Sequence, residues 1–223
     1  MIDRVDNDPA LLAEDLRNLR TINRFFGGIS AVRQALVPFF ELIPRAKNIE
    51  ILDLATGSAD HPIEITKLAR KLGRKVHIHA IDKNPKILKV ARERVDDFKE
   101  ISIESKDLLN LDYPARHFDI VLCSLAIHHF SREEGVRILG EMHRLSRVGF
   151  IVNDLNRSLV GAWTAWLYTH LTSRNPLTLH DSYVSVLRAY TPAELQAMAM
   201  EAGIRNFQII TKPFFRLLLI GKS

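Results

Sequence analysis

Three carboxylates fall at the ends of successive short apolar runs: Asp53 in ILDL, Asp82 in HIHAID and Asp107 after ISIESK. An acid at a strand end can accept hydrogen bonds from both ribose hydroxyls of a nucleoside. An acid with an apolar neighbour, as in Asp107-Leu108, can hold an adenine amino group and ring. Each acid alone would serve as a helix N-cap; their recurrence at three strand ends points to a ligand. The loop Ala55-Thr56-Gly57-Ser58-Ala59-Asp60 is built of small residues beside the free N–H groups of a helix start. A pyrophosphate cradle would want glycines at Ala55 and Ala59 as well, and Asp60 would repel a phosphate. The loop therefore argues against a P-loop and against a dinucleotide, and suits a ligand without phosphate.

A second set could move protons. His128-His129 follows a strongly apolar run ending in Ser124, and histidine titrates near neutral pH. Asn153-Asp154 ends a later run, and Asp154 can orient a histidine or an acceptor hydroxyl; Arg157, just beyond, can hold an anion. Trp163, Trp166, Tyr168, His170, His180, Asp181 and Tyr183 supply aromatic walls with sparse polar groups, the mix a small-molecule pocket needs. Arg24 shares a helix face with Arg17 and Arg20, placed to close over a site. Lys83 adjoins Asp82. His61 follows the small-residue loop and can either line the pocket beside it or lie on the surface, the surface being the preferred reading. The spacing of acids and histidines yields no metal site.

These residues need a frame that brings strand ends together. Apolar runs at Ile49–Leu54, Val76–Ile81, Ile101–Lys106, Phe118–Leu125 and Gly149–Leu155 alternate with helical stretches at Ile63–Leu72, Pro85–Phe98 and Arg132–Leu145. That order predicts an α/β fold with a parallel sheet and helices on both faces. Asn84-Pro85 is an N-cap with proline at the first helical position, and Thr191 with Glu194 forms a capping box closed at Gly203. Asn206–Pro213 and Phe214–Ile220 read as a closing hairpin. Before the strands, Leu12, Leu16, Leu19, Ile22 and Phe26 recur at helical spacing up to Gly27-Gly28, and a second helix starts at Ser30 as N-cap. The expected organisation is a helical cap over 1–46 and a core over 47–223, with a helical substrate insertion at about 156–190.

The chain has 223 residues, 47% apolar and 26% charged, with a formal charge of +5. This is ordinary globular composition, and the charge is too scattered to make nucleic acid an expected partner. The single cysteine, Cys123, excludes an internal disulfide framework and makes the cytoplasm the default compartment. The N-terminus shows no apolar signal region and no run reaches membrane-spanning length, although the tryptophan-rich insertion leaves peripheral membrane contact open.

Asp53-Leu54-Ala55-Thr56-Gly57, Asp82, Asp107 and Phe118-Asp119-Ile120-Val121 together resemble the class I S-adenosylmethionine-dependent methyltransferases, over about residues 49–155 with a compatible tail. The resemblance implies a doubly wound, mostly parallel, Rossmann-like seven-stranded sheet with an antiparallel last strand. It implies S-adenosylmethionine as cofactor, with Asp53, Ala55, Thr56, Gly57 and Asp60 near its methionine part, Asp82 and Lys83 at the ribose, Asp107 and Leu108 at the adenine, and Ser124 nearby. Two departures stand out. Ala55 and Ala59 replace glycines, so either the cofactor sits further out or the loop keeps negative φ there. The turn before the fifth strand is shortened to Leu145–Gly149. The expected enzyme methylates a small aromatic or hydrophobic acceptor, on oxygen ahead of carbon, as a monomer or homodimer. His128, His129 and Asp154 are its catalytic candidates. Arg24, Asn153, Arg157, Trp163, Trp166, His180 and Tyr183 are its substrate contacts. An RNA or protein methyltransferase and a non-catalytic cofactor-binding relative are the rivals.

Overall fold

Apolar runs too short to cross a domain as helices pair into one sheet, and the amphipathic stretches between them cover its two faces. The computed structural model describes residues 8–223, so the first seven residues of the expected cap lie outside the described residues. In chain order the elements are α1 (Pro9–Phe25), α2 (Gly28–Leu42), β1 (Ile49–Leu54), α3 (Asp60–Lys71), β2 (Val76–Asp82), α4 (Pro85–Val95), β3 (Ile101–Ser105), β4 (Phe118–Ser124), α5 (Arg132–Leu145), β5 (Ser146–Leu155), α6 (Leu159–Thr172), α7 (Pro176–Arg188), α8 (Pro192–Glu201), β6 (Phe207–Lys212) and β7 (Arg216–Lys222).

The seven strands lie in the order β3-β2-β1-β4-β5-β7-β6. The first five in that order are parallel, and β7 runs antiparallel to both β5 and β6. The expected α/β sheet with its antiparallel final strand is what forms. Chain direction across the sheet reverses between β1 and β4, which opens a crevice beyond their carboxyl ends. Each central strand is buried on both faces, as parallel strands under crossover helices must be. One core layer packs Leu36, Phe39 and Phe40 of α2 and Ile65 and Ala69 of α3 against Ile49, Ile51 and Ile120. The other packs Ile138, Leu139 and Met142 of α5 and Leu195 and Met198 of α8 against Leu52, Val121 and Val152.

Four local details differ from the sequence reading, and each has a cause. The helix before β1 starts at Gly28, with Gly27 as its cap at φ +78°, and Ser30 lies inside it. A Cβ at Gly28 would meet Asn23 Oδ1 at 1.7 Å, so only glycine lets α2 begin against α1. α3 starts at Asp60, three residues early, because an acid in the first turn complements the helix dipole. α5 runs straight into β5 at Ser146, so the expected turn up to Gly149 is strand. Ala55 and Ala59 both take positive φ, +53° and +58°, alongside Gly57 at +57°. The loop thus keeps a left-handed course without the glycines that favour it, contrary to the negative-φ alternative.

α1 is stitched to α7 through buried polar groups. Thr178 Oγ1 donates to Asp15 Oδ1 at 2.6 Å, and Asn18 Nδ2 donates to Ser173 Oγ and Thr178 Oγ1 at 3.0 and 3.1 Å. Burial raises the Asp15 carboxyl to about 6, partly offset by the Thr178 hydrogen bond. α1 also packs Leu12 and Leu16 onto Ile87 of α4. These contacts hold α1 and α7 over the carboxyl ends of the strands.

Candidate active site

A cavity of about 580 Å³ occupies the crevice. Its floor is made by the loops after β1, β2 and β4, and its roof by α1, α6, α7 and the turn between β6 and β7.

At one end, Asp82 closes β2. Its Oδ2 accepts from the Gly57 N–H at 3.1 Å and its Oδ1 from the Asn84 N–H at 3.0 Å. This carboxylate thus fixes the loop from the end of β2 and lines the cavity there. Ala55, Thr56, Gly57, Asp60, Lys83 and Leu108 line the same end. Asp60 is held by Arg94 at 2.6 Å and by Ser58 Oγ at 2.9 Å. Asp53 lies beneath the loop, 2% exposed and off the cavity wall, with Oδ2 unpartnered. Burial raises its carboxyl to about 7, and the nearby Asp82 and Asp60 charges add to that, partly offset by Thr56. Asp107 is displaced from its expected place: it is exposed, its Oδ1 accepts from the Leu109 N–H at 3.0 Å, and Lys106 and Leu108 form the wall instead. The short local turn satisfies the carboxylate and carries it outward.

At the centre, Ser124 ends β4. Asn153 Nδ2 donates to Ser124 Oγ at 2.6 Å, and Ser124 Oγ lies 2.8 Å from His61 Nε2, which Asn23 Nδ2 also reaches at 3.1 Å. His61 is buried, and burial with the Arg216 charge lowers its pKa to about 3. A neutral ring accepts at Nε2 from both neighbours, so the chain runs Asn153 to Ser124 to His61. This corrects the reading of His61 as a surface residue. The early start of α3 turns it toward the sheet.

Beside Ser124, a short 3-10 turn at Ile127–His129 brings His128 and His129 to the cavity wall, and Ser131 with Glu134 caps α5 independently. His128 Nδ1 lies 2.5 Å from Asp154 Oδ1; Asp154 also accepts from the backbone N–H groups of His128 and Leu155, at 3.2 and 2.7 Å. Burial opposes the charge on His128, but the Asp154 carboxylate outweighs it and the histidine titrates above its ordinary value. Burial likewise opposes the charge on Asp154, and His128 holds it below the usual carboxylate range.

The roof is aromatic, and of the aromatic residues expected there it takes Tyr168. Phe26 of α1 meets Tyr168 of α6 edge-on at 4.9 Å and Phe214 at 5.3 Å. Gly161 lets α6 lie on the Phe215 ring, which a Cβ there would meet at 2.7 Å. Of the expected substrate contacts, none forms the cavity wall. Trp163 meets Trp166 edge-on at 5.6 Å, and Trp166 lies tilted against His170 at 4.3 Å, along the outer face of α6, because Gly161, Ala165 and Tyr168 take its inner face. Arg157 pairs with Glu194 on the surface. Arg24 and His180 are exposed, and Tyr183 is half-buried beside the lining residues Asp181 and Ser182. Asn153 is buried behind Ser124. Of the insertion's expected wall residues, Tyr168 and Asp181 do line the cavity, whereas sequence reasoning missed Asn23, Phe214, Phe215 and Arg216.

Comparison with known proteins follows this geometry. A family profile described as "Methyltransferase domain" matches residues 51–149. Phosphoethanolamine N-methyltransferase of Plasmodium falciparum is 28% identical over 118 residues, 53% of this chain and 41% of that protein. Demethylmenaquinone methyltransferase of Listeria welshimeri is 27% identical over 105 residues, 46% of this chain and 42% of that protein. The matched segments thus span about two fifths of those relatives. A structure of a SAM dependent methyltransferase from Aquifex aeolicus superposes with a TM-score of 0.65 over 97% of this chain and 99% of that one, at 15% identity, which bears on the fold alone. The profile match thus makes residues 51–149 similar to a methyltransferase domain, and the strand order agrees with the fold of the solved methyltransferase.

Proposed function

We propose that the chain is an S-adenosylmethionine-dependent methyltransferase acting on a small acceptor with an apolar body, with oxygen as the methylated atom. The observation that carries this is one continuous cavity with Asp82 and Gly57 at one end and His128 at the other, under an aromatic roof.

The residues present fit the cofactor. Asp82 lines the cavity at a strand end, where a carboxylate suits vicinal hydroxyls, and Leu108 offers an apolar face for a base. The unpartnered Asp53 Oδ2 beneath the loop adds negative potential where an α-ammonium would lie. When bound, S-adenosylmethionine supplies a methyl group already activated by its sulfonium charge. The protein's remaining work is to position the nucleophile and take its proton.

His128 is suited to that second task. With Nδ1 committed to Asp154, its Nε2 is the nitrogen left to accept a proton from an acceptor hydroxyl, and Asp154 stabilises the imidazolium that results. A base of this kind favours a hydroxyl over a carbon nucleophile. The aromatic roof supports a small acceptor rather than a polymer. Ser124 and His61 are assigned a positioning role at the middle of the cavity.

Calorimetry with S-adenosylhomocysteine, followed by mass spectrometry of phenolic and aliphatic hydroxyl compounds incubated with S-adenosylmethionine, tests this reading. The expected result is binding together with a mass gain of one methylene on a hydroxyl compound. Absence of S-adenosylhomocysteine binding by the folded protein would sink it.

A further inference from the structure

We propose that Arg216 anchors a carboxylate of the methyl acceptor, which makes the acceptor an apolar acid. The proposal rests on the methyltransferase reading above and adds the acceptor's charge to it.

Arg216 opens β7 and lines the cavity, yet it is only 2% exposed. Its Nε and Nη1 have no hydrogen-bond partner. Its nearest electrostatic complement is Asp154, but that carboxylate is already engaged by His128 Nδ1 and by two backbone N–H groups. Burial lowers the Arg216 pKa to about 10, so the guanidinium is still charged at neutral pH. A buried cation with orphaned donors is costly unless something fills its hydrogen bonds. A guanidinium presents its donors as a planar fork that matches two carboxylate oxygens. The fold also makes room for it: Gly28 has no Cβ, and one placed there would come within 3.2 Å of Arg216 Cζ.

Its place in the sheet assigns the anion to the acceptor. Arg216 pairs with Leu155 at the end of β5, whereas Gly57 and Asp82 stand at the ends of β1 and β2, on the other side of β4. Its charge is felt by His61, next to Ser124 at the middle of the cavity. Asn23, His61 and Asp154 lie around it and the roof adds Phe26, Phe214 and Phe215, while the lysines on the wall, Lys83 and Lys106, stand at the opposite end. One guanidinium under that aromatic roof suits a mono-anion on a hydrophobic body. A bound carboxylate would also cancel a cation that otherwise faces the positive sulfonium of the donor.

The test uses the full chain saturated with S-adenosylhomocysteine, titrated with octanoate and with the isosteric, uncharged octanamide. The wild type should bind octanoate at least tenfold more tightly. Arg216→Met should abolish that preference, and Arg216→Lys should keep part of it, with circular dichroism checking that each variant folds. Should Arg216→Met fail to fold, the Arg216→Lys and wild-type titrations decide alone. Equal affinity for the two probes in the wild type, including no measurable heat from either, overturns the proposal. So does a preference that survives in Arg216→Met. If Arg216→Met weakens S-adenosylhomocysteine tenfold and leaves the octanoate preference intact, the cation serves the cofactor's own carboxylate and the proposal fails. Wild-type affinity for S-adenosylhomocysteine, measured first without octanoate, separates failure of the methyltransferase reading from failure of this one.

Discussion

His128 and Asp154 are joined at two points: Nδ1 lies 2.5 Å from Oδ1, and the His128 backbone N–H donates to Oδ2 at 3.2 Å. One carboxylate therefore fixes both the ring and the turn that carries it. The ring must be neutral to accept a proton, and its pKa is raised, so the rate should climb with pH through a value above 6.5. Asp154→Asn removes the attraction and should move that limb to lower pH while lowering the plateau by about 10²-fold, the scale of a general base. A limb that does not move would assign the rate to another group. As an ion pair, the two contribute fully to stability between their ordinary values of 3.8 and 6.5. That contribution fades as pH rises through the raised His128 pKa or falls through the lowered Asp154 pKa.

Asp82 joins the loop after β1 to the ligand end of the cavity. Asp82→Ala should weaken S-adenosylhomocysteine binding by about 1–3 kcal/mol, through lost charge-assisted hydrogen bonds and a loosened Gly57. Calorimetry on the folded variant checks this. An unchanged Kd would remove Asp82 from the binding set.

Asp53 gives a stability signature without any ligand. Its folded pKa, about 7, lies above the ordinary 3.8, so the folded state holds the proton more tightly. Stability should fall as pH rises between those values, by on the order of 4 kcal/mol for this group. Asp53→Asn should remove that slope. Chemical denaturation at pH 5 and pH 8 should show the variant gaining on the wild type at the higher pH. Identical slopes in the two proteins would show that Asp53 ionises freely.

Ala55 and Ala59 offer a contrast between two alanines in one backbone conformation. Both hold positive φ, which costs an L-residue about 1–2 kcal/mol. Ala55 is half-buried, and Ala55→Gly should stabilise the protein by about 0.5–1 kcal/mol. Ala59 is fully buried, so Ala59→Gly loses methyl packing that offsets the relief, and its effect should be near zero. Equal gains at both positions would mean that the Ala59 methyl contributes nothing.

The frame and the Asp82 end of the cavity were legible because their signals are local. Strand ends are marked by the loss of apolar pattern, so Asp82, Gly57 and Leu108 could be placed from neighbours in sequence. The acceptor end was not. Helical spacing groups Trp163, Trp166 and His170 on one face of α6 but cannot say whether that face looks inward, and here it looks out. His61 was misjudged because α3 begins three residues early. Arg216 opens the apolar run RLLLIG, and only its register opposite Leu155 brings it to the cavity. Its one sequence trace is Gly28, far away in the chain, whose missing side chain makes space beside it. Gly27-Gly28 read simply as a helix break.

The hairpin between β6 and β7 carries Phe214 and Phe215 at positive φ, directly before Arg216. During synthesis the chain acquires every wall of the nucleoside end by Ser124, about a hundred residues before this turn emerges. A growing polypeptide would therefore own a cofactor cleft long before it owned an acceptor chamber. β7 itself is an inner strand whose Leu217, Leu218 and Leu219 belong to the core, so the turn at residues 213–215, and not the strand, becomes the natural place to graft a different acceptor preference.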